Sequence, residues 1–104
     1  MARVKINLPT QGESWFFIDP TQTVQDFIKE VQGEDSNINS LEIMTGSSTN
    51  PKPATANENL YKVLQDPYTS HFLKLNNMMY SFGDKSLRKD TISLKETSTW
   101  FNQC

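Results

Sequence analysis

Acidic side chains gather where the main predicted helix of this chain ends. Glu30, Glu34 and Asp35 lie in its last turns or just beyond them. Because the C-terminus of a helix carries partial negative charge, carboxylates are disfavoured there, and their presence invites a functional explanation. Carboxylate oxygens are ligands for hard cations such as Ca²⁺, and Asp66 supplies a further candidate ligand. These four acids are our candidates for a metal site, although solvated charges at a helix end are the commoner explanation.

Any cation held by these acids is expected to be bound weakly. A tight Ca²⁺ site needs about six to eight oxygen ligands, usually from a loop of alternating carboxylates. The chain contains no such loop. We therefore expect no tightly bound cofactor and at most weak binding of Ca²⁺ or Mg²⁺, in the range of ~1 mM.

Residues that could support catalysis are scarce. The chain has one histidine, His71, and one cysteine, Cys104. A cysteine at a frayed chain end is a poor nucleophile because nothing holds it in an activating environment. His71 is predicted to be a surface residue in a loop before a hairpin. We therefore predict that the protein is not an enzyme, and a single cysteine excludes an internal disulfide.

Length and charge narrow the classes further. A chain of 104 residues forms one domain with a single modest core. Its formal net charge of −2, without a basic block, argues against a nucleic-acid partner. No apolar run approaches the ~20 residues that a membrane-spanning helix needs, so no membrane insertion by this segment is expected.

Alternation of apolar and polar residues predicts several strands. The predicted strands are residues 4–8, 15–18, 38–44, 72–75 and 78–82. Asn76-Asn77 between the last two is expected to be a hairpin turn, because asparagine tolerates positive φ. Residues 45–57 have a loop composition without a period and are predicted to form a long surface loop. Residues 83–104 are predicted to be a terminal strand or a linker toward a further element.

An apolar repeat of three to four residues predicts one main helix from Thr23 to Gln32. Thr23 is its expected N-cap, and Asp26 completes a capping box. Gly33 is its expected left-handed stop. A short second helix is predicted to follow Asn57, which would cap it.

This order of elements is that of a β-grasp or ubiquitin-like roll, an α+β fold in which one main helix crosses a mixed sheet. Residues 1–82 are expected to form this domain. The core is expected to comprise the inward-facing apolar residues Val4, Ile6, Leu8, Phe16, Ile18, Val24, Phe27, Ile28, Val31, Leu41, Ile43, Leu60, Leu64, Leu73 and Leu75. The fold hosts unrelated functions, so it identifies none by itself.

Three aromatic residues are candidates for contact with a partner. Trp15 and Phe16 are neighbours in a strand, so their side chains point to opposite faces and one is less buried. Trp15 is either a packing residue of a second layer or part of a contact surface. Trp100 and Phe101 would be costly if exposed together, which predicts that the tail docks on the domain or meets a partner.

Between residues 4 and 82, a longer set of residues has an order and spacing that are also found in a known protein family. It comprises Leu8-Pro9, Phe16-x-Ile18-x-Pro20, Val24-x-x-Phe27, Gln32-x-Glu34-Asp35, Ile38, Leu41, Ile43, Leu60, Leu64, Asp66, Phe72-Leu73-Lys74-Leu75-Asn76-Asn77 and Tyr80. In this set the sequence resembles the matrix-facing N-terminal domain of the pore-forming subunit of the mitochondrial calcium uniporter. The resemblance includes one small gap and a divergent stretch at 45–57.

The resemblance implies a non-catalytic regulatory and assembly domain on the matrix side of the mitochondrial inner membrane. Members of that family also carry coiled coils, two membrane helices and an Asp-Ile-Met-Glu selectivity motif. The chain would then be an excised domain of such a calcium channel. Its partners would be other channel subunits, through self-association, and the membrane domain of the full-length channel.

Family features carry over only in part, position by position. Members use an acidic patch of this domain as a weak divalent-cation site, and Asp66 matches one of its acidic positions. The second acidic position falls near Ser47, which supplies no carboxylate. The phosphorylated serine of vertebrate members corresponds to Thr10. Asn7 lies three residues before it, where a basophilic kinase prefers arginine, so the modification is not carried over. Their redox-sensitive cysteine falls near Ser14, so that chemistry is absent.

The alternative function is a free-standing β-grasp interaction module of the Ras-association or ubiquitin-like type. A conjugated modifier would end in Gly-Gly, and the chain as given does not. A Ras-association role would need a basic strand facing an acidic switch region, and the sequence pattern shows no such strand. An uninterrupted reading frame with two hydrophobic segments flanking Asp-Ile-Met-Glu downstream would favour the channel instead.

Overall fold

The computed structural model describes residues 2–47, 49–66, 68–82 and 91–96. Within these ranges the chain is an α+β domain with two helices and eight strands. The helices are α1 (Val24–Glu34) and α2 (Leu60–Gln65), and the strands are β1 (Ala2–Leu8), β2 (Gly12–Ile18), β3 (Leu41–Ser47), β4 (Asn50–Pro53), β5 (Ser70–Leu75), β6 (Met78–Ser81), β7 (Thr91–Ser93) and β8 (Lys95–Glu96). The predicted fold class is confirmed, because this arrangement is compatible with a β-grasp-like roll. Neither α1 nor α2 is long and apolar enough to cross a membrane.

The strands form two hydrogen-bonded sheets. The first has the order β2-β1-β7, in which β2 is antiparallel and β7 parallel to the central strand β1. The second has the order β4-β3-β5-β6-β8, with antiparallel pairs throughout. Residues 91–96 therefore contribute a strand to each sheet, and Ile92 lies opposite Val4 in the core. Asn76 has the positive φ of 53° predicted for the turn between β5 and β6.

Helix α1 begins as the sequence predicts but ends later. The Thr23 side chain accepts a hydrogen bond from the backbone N–H of Asp26, whose carboxylate accepts one from the backbone N–H of Thr23. This is the predicted capping box. Gly33 is not the stop, since it lacks a positive φ and the helix continues to Glu34. The chain instead leaves the helix at Asp35, whose carboxylate is hydrogen-bonded to a distant turn.

The prediction of a long surface loop over residues 45–57 is wrong for 45–47 and 50–53, which form strands. Strand β3 extends to Ser47, and β4 pairs with it so that Pro51 lies opposite Gly46. The sequence pattern did not predict β4 because it contains two prolines, which lack the backbone N–H donor that a strand needs for pairing. They are tolerated here because β4 is at the edge of its sheet.

The predicted cap of the short helix is also wrong, because Asn59 caps α2 in place of Asn57. The Asn59 side-chain oxygen accepts a hydrogen bond from the backbone N–H of Lys62. Its amide nitrogen donates to the carbonyl of Pro20 at 2.7 Å. This tertiary contact selects the second asparagine, and the local pattern carries no sign of it.

The core joins α1, α2 and both sheets. Every residue predicted for it is buried except Ile28, which packs partly buried against the same cluster. The rings of Phe16 and Phe27 meet edge to face, with centroids 6.4 Å apart, so α1 lies on the inner face of β2. The main cluster also includes Ala2, Phe82 and Ile92, and a second cluster is formed by Met44, Phe72 and Met79.

Candidate functional site

Two large aromatic side chains are exposed on the outer face of the sheet β2-β1-β7. Trp15 is 46% exposed and Phe17 is 55% exposed, whereas Phe16 between them is buried. Neighbouring side chains of a strand point to opposite faces, so Trp15 and Phe17 share the outer face while Phe16 faces the core. Trp15 thus lies at the surface. Phe17 was not among the predicted contact residues, although the same alternation identifies it once Phe16 is placed inside.

Two cations of β1 lie against the indole ring of Trp15. In the β1–β2 register, Arg3 is opposite Phe17 and Lys5 is opposite Trp15. The guanidinium carbon of Arg3 is 4.7 Å from the Trp15 ring centroid, and Nζ of Lys5 is 5.7 Å from it. Each such cation–π contact is worth ~0.5–1 kcal/mol at an exposed site. We call Arg3, Lys5, Trp15 and Phe17 the aromatic–cationic patch.

Both cations of the patch are themselves held in place. Nε of Arg3 donates a hydrogen bond of 3.1 Å to the hydroxyl of Thr91 on β7. Nζ of Lys5 lies 3.4 Å from a carboxylate oxygen of Glu13 on β2. Exposed pairs of this kind add little to stability. They do order the two side chains beforehand, which reduces the entropy lost when a partner binds.

Asp35, one of the predicted metal ligands, is instead part of the fold. It is only 2% exposed, and each of its carboxylate oxygens accepts two hydrogen bonds. Oδ1 is bound by the hydroxyl of Thr10 and the N–H of Asn37. Oδ2 is bound by the N–H groups of Thr10 and Gln11. With four donors the lone pairs are satisfied, so this carboxylate is not free to bind a cation.

These hydrogen bonds also determine the charge of Asp35. Burial raises the pKa of its carboxyl group, because a charged form is disfavoured away from water. Hydrogen bonds from Asn37, Thr10 and Gln11 favour the charged form more strongly, and they lower the pKa from 3.8 to about 2. Asp35 is therefore an ionised anchor that joins the exit of α1 to the β1–β2 turn.

The other predicted metal ligands do not converge. Glu30 accepts a hydrogen bond of 3.1 Å from the Gln22 side chain, and Glu34 is exposed at the end of α1. Asp66 follows α2 and accepts a hydrogen bond of 2.9 Å from the N–H of Tyr68. Among the residues that the structure describes, no three His, Cys, Asp or Glu side chains lie close enough together to hold a metal ion.

Asp66 does share an open groove with a second acid. The groove has a volume of about 330 Å³ and is lined by Thr45, Glu58, Asn59, Lys62, Val63, Asp66 and Thr69. Glu58 therefore supplies a carboxylate on the same groove, which the sequence analysis did not identify. Ser47 is occupied elsewhere, since its hydroxyl accepts a hydrogen bond from the backbone N–H of Asn50 within the β3–β4 hairpin. Lys62 brings a positive charge to the groove, which weakens any cation binding there.

His71 is buried in β5, and the prediction of a surface histidine is wrong. It is 5% exposed, lies opposite Thr45 of β3, and its Nε2 is 3.1 Å from the hydroxyl of Thr69. The strand begins two residues earlier than the pattern predicts, at Ser70, and so includes the histidine. Burial lowers the pKa of His71, and the negative charge of Asp66 partly opposes this shift.

The other residues singled out from the sequence fall into two groups. Trp100, Phe101 and Cys104 lie outside the described residues. Thr10 uses its hydroxyl to bind Asp35, and Ser14 makes a long hydrogen bond of 3.5 Å to the Gly12 carbonyl within its own strand.

Comparison with known proteins adds no family to this picture. No family model matches the chain, and no curated protein matches it either. The similarity to the uniporter domain thus rests on the residues quoted above, and its functional consequences are proposals.

Proposed function

We propose that this domain is a non-catalytic interaction module that assembles with further copies of itself. The observation that carries the proposal is the aromatic–cationic patch. Large aromatic side chains are enriched at binding surfaces, because the apolar part of the ring is buried on binding while its polar end remains in contact with polar groups. Here Trp15 and Phe17 stand on a rigid strand, beside cations that are already ordered. Binding through such a surface needs no catalytic group.

The particular setting that we propose is a mitochondrial calcium uniporter channel. The domain would stand on the matrix side of the inner membrane, as a regulatory and assembly unit of the pore-forming subunit. Two observations support this: the ordered set of residues that resembles the family, and an α+β fold that is compatible with the expected β-grasp-like roll. Contacts between domains would join neighbouring subunits or neighbouring channels.

Divalent cations would tune these contacts. The exposed acids Glu30 and Glu34, and Asp66 with Glu58 in its groove, are the remaining carboxylates at which Ca²⁺ or Mg²⁺ would act. A cation that binds one assembly state better than another shifts the equilibrium by that difference in affinity. Because few ligands converge within one copy, a site with enough oxygens would need a second copy or water.

One observation favours the alternative, a free-standing module of the Ras-association type. Strand β1 carries Arg3 and Lys5 on its exposed face, beside the edge strand β2. An acidic switch region is the kind of surface that such a pair of cations would contact. Two cations separated by one apolar residue are a weak pattern in sequence, and the pairing of β1 with β2 places them beside the two exposed aromatic side chains.

Sedimentation velocity of the whole chain over about a hundredfold concentration range tests the proposal, because association follows mass action. We expect species heavier than the monomer of 11.9 kDa, with their share rising with concentration. A monomer at every concentration would remove self-assembly. Binding to a GTP-loaded small GTPase by such a monomer would favour the alternative.

A further inference from the structure

The exposed flank of α1 carries a row of acids. Asp26, Glu30 and Glu34 follow one another at intervals of four residues, and all three are exposed. Side chains at this spacing lie on one flank of a helix, and like charges there reduce its stability. The last turn of α1 has no basic residue to offset the helix dipole. We call Asp26, Glu30 and Glu34 the acidic row. Asp26 belongs to the capping box and stabilises the start of α1, so the unfavourable charge placement applies to Glu30 and Glu34 near the helix end.

The acidic row and the aromatic–cationic patch lie on opposite sides of the domain. Helix α1 covers the inner face of β2, where its Phe27 ring meets the Phe16 ring. The patch lies on the outer face of the same strand, with Trp15 pointing away from α1. The row lies on the exposed part of α1. The two surfaces therefore cannot meet within one copy.

Charge and spacing make the two surfaces complementary. The chain carries a formal net charge of −2, and the patch reverses this sign locally, because its two cations outnumber the Glu13 carboxylate that pairs with Lys5. Four residues of helix advance about 6 Å, which separates Glu30 from Glu34 along α1. Two residues of strand advance about 6.6 Å, which separates Arg3 from Lys5 along β1. A pair of carboxylates on α1 can thus face the pair of cations that contact the Trp15 ring.

A nucleic acid fits the patch less well than a protein does. Aromatic side chains and cations on a sheet also suit single-stranded nucleic acids, but such proteins follow the phosphates with an extended basic groove. Here Arg3 and Lys5 are the cations of the patch, and Lys5 is paired with Glu13. A surface with a few carboxylates matches this charge better than a polyanion does.

We propose that the aromatic–cationic patch of one copy binds the acidic row of the next copy. This inference rests on the self-assembly proposed above and adds the surfaces that meet. The two surfaces differ, so the contact is heterologous, and every added copy leaves one free patch and one free row. Such contacts produce rings or open chains rather than a closed two-fold dimer.

Charge reversal separates this arrangement from other modes of association. The double variant Arg3→Glu/Lys5→Glu loses the patch and keeps the row, while Glu30→Lys/Glu34→Lys loses the row and keeps the patch. In sedimentation velocity we expect each variant alone to associate at least about tenfold more weakly than the wild type, because like charges then face each other. An equimolar mixture should associate again, since one intact patch meets one intact row.

Control variants of matched charge change lie on the sheet β4-β3-β5-β6-β8. Lys52→Glu/Lys74→Glu reverses two cations of β4 and β5, and Glu42→Lys/Glu96→Lys reverses two acids of β3 and β8. These variants should keep the wild-type distribution of species. Circular dichroism and thermal unfolding of every variant show whether it is folded. Trp15→Ser, which changes no charge, should also weaken association, since the ring lies at the centre of the patch.

The outcomes separate this inference from the proposed function. If the wild type associates and Arg3→Glu/Lys5→Glu associates equally well, self-assembly stands and the patch is not its surface. If Arg3→Glu/Lys5→Glu no longer associates while Glu30→Lys/Glu34→Lys associates normally, the patch binds a surface other than the acidic row and the inference is wrong. A mixture of the two variants that stays monomeric also overturns it. A monomeric wild type at every concentration overturns both proposals.

Discussion

Asp35 binds Thr10 through both of its carboxylate oxygens, although the two residues are 25 positions apart in the chain. The backbone N–H of Thr10 donates to Oδ2 at 2.7 Å, and its hydroxyl donates to Oδ1 at 2.8 Å. These bonds join the exit of α1 to the turn between β1 and β2. The same turn sets the register that places Lys5 beside Trp15. The acid that we predicted as a metal ligand thus supports the patch from within the fold.

Replacing Asp35 should change how stability depends on pH. A carboxyl group whose pKa is lower in the folded state stabilises the fold above its unfolded pKa, and this contribution is lost as the pH falls through the folded value. For Asp35 the loss should occur as the pH falls from 3.8 toward about 2. We expect Asp35→Asn to lower the melting temperature at neutral pH and to reduce the further loss on acidification.

Thermal unfolding followed by circular dichroism between neutral pH and pH ~2 measures this effect. Glu34→Gln is the matched control, since it removes a neighbouring exposed carboxylate and leaves the hydrogen bonds of Asp35 intact. If Asp35→Asn and the wild type unfold at the same temperature throughout, the carboxylate does not anchor the turn.

Truncating Phe27 should destabilise the domain strongly. Its side chain has no exposed surface and its ring contacts that of Phe16. Phe27→Ala should cost ~3–5 kcal/mol, because it removes buried apolar surface and leaves a cavity. The control is Phe17→Ala, the same change at a side chain that is 55% exposed, for which we expect ~0.5 kcal/mol or less. Denaturation in urea that shows a loss below ~1 kcal/mol for Phe27→Ala would contradict the inward orientation of this helix face.

Sequence patterns predicted those parts of the fold that depend on residues close together in the chain. Alternation and the helical repeat identified the core, with Ile28 as the one residue only partly buried. The capping box of Thr23 and Asp26 is a contact within four residues, and it is present. By contrast, α1 passes through Gly33 because Asp35 is held by a turn that is distant in sequence.

Only one feature of the candidate site, the alternation of side chains along β2, was predicted from the sequence. Alternation separates Trp15 from Phe16, but the cations beside Trp15 come from another strand, and their positions follow from the β1–β2 register. His71 was misplaced for a similar reason. It is polar and follows a loop in sequence, yet pairing of β5 with β3 buries it opposite Thr45. Tertiary pairing decides both cases, and a single sequence carries little signal for it.

His71 should titrate below the ordinary value for histidine. Its burial disfavours the charged imidazolium and lowers the pKa from 6.5, while the charge of Asp66 acts in the opposite direction. The folded state then binds a proton less readily than the unfolded state, so stability should fall as the pH drops below 6.5 toward the lowered pKa. This loss should be absent in His71→Gln.

The titration of His71 can be followed directly by NMR, because it is the single histidine of the chain. We expect the midpoint of its ring C–H shift below 6.5, and a lower midpoint still in Asp66→Asn, which removes the opposing charge. A midpoint at or above 6.5 in the wild type would contradict the prediction that burial outweighs the charge of Asp66.

Calcium should act at the groove and at the acidic row rather than at Asp35. Asp66 and Glu58 line one groove, and Glu30 and Glu34 are exposed on α1, whereas both oxygens of Asp35 are occupied by hydrogen bonds. With few ligands in each place, we expect effects only at millimolar concentrations of Ca²⁺ or Mg²⁺. Amide chemical shifts should move near these acids while those around Asp35 stay unchanged.

The same titration decides whether the cation is specific and whether it regulates assembly. Ionic strength is kept constant with NaCl, so that simple screening does not imitate binding. Asp66→Asn/Glu58→Gln should remove the shifts at the groove and keep those on α1, and Glu30→Gln/Glu34→Gln should do the reverse. A cation at the acidic row neutralises charges that the patch of the next copy would otherwise meet, so Ca²⁺ should weaken head-to-tail association. Equal responses in the wild type and in both double variants would show that neither place binds the cation.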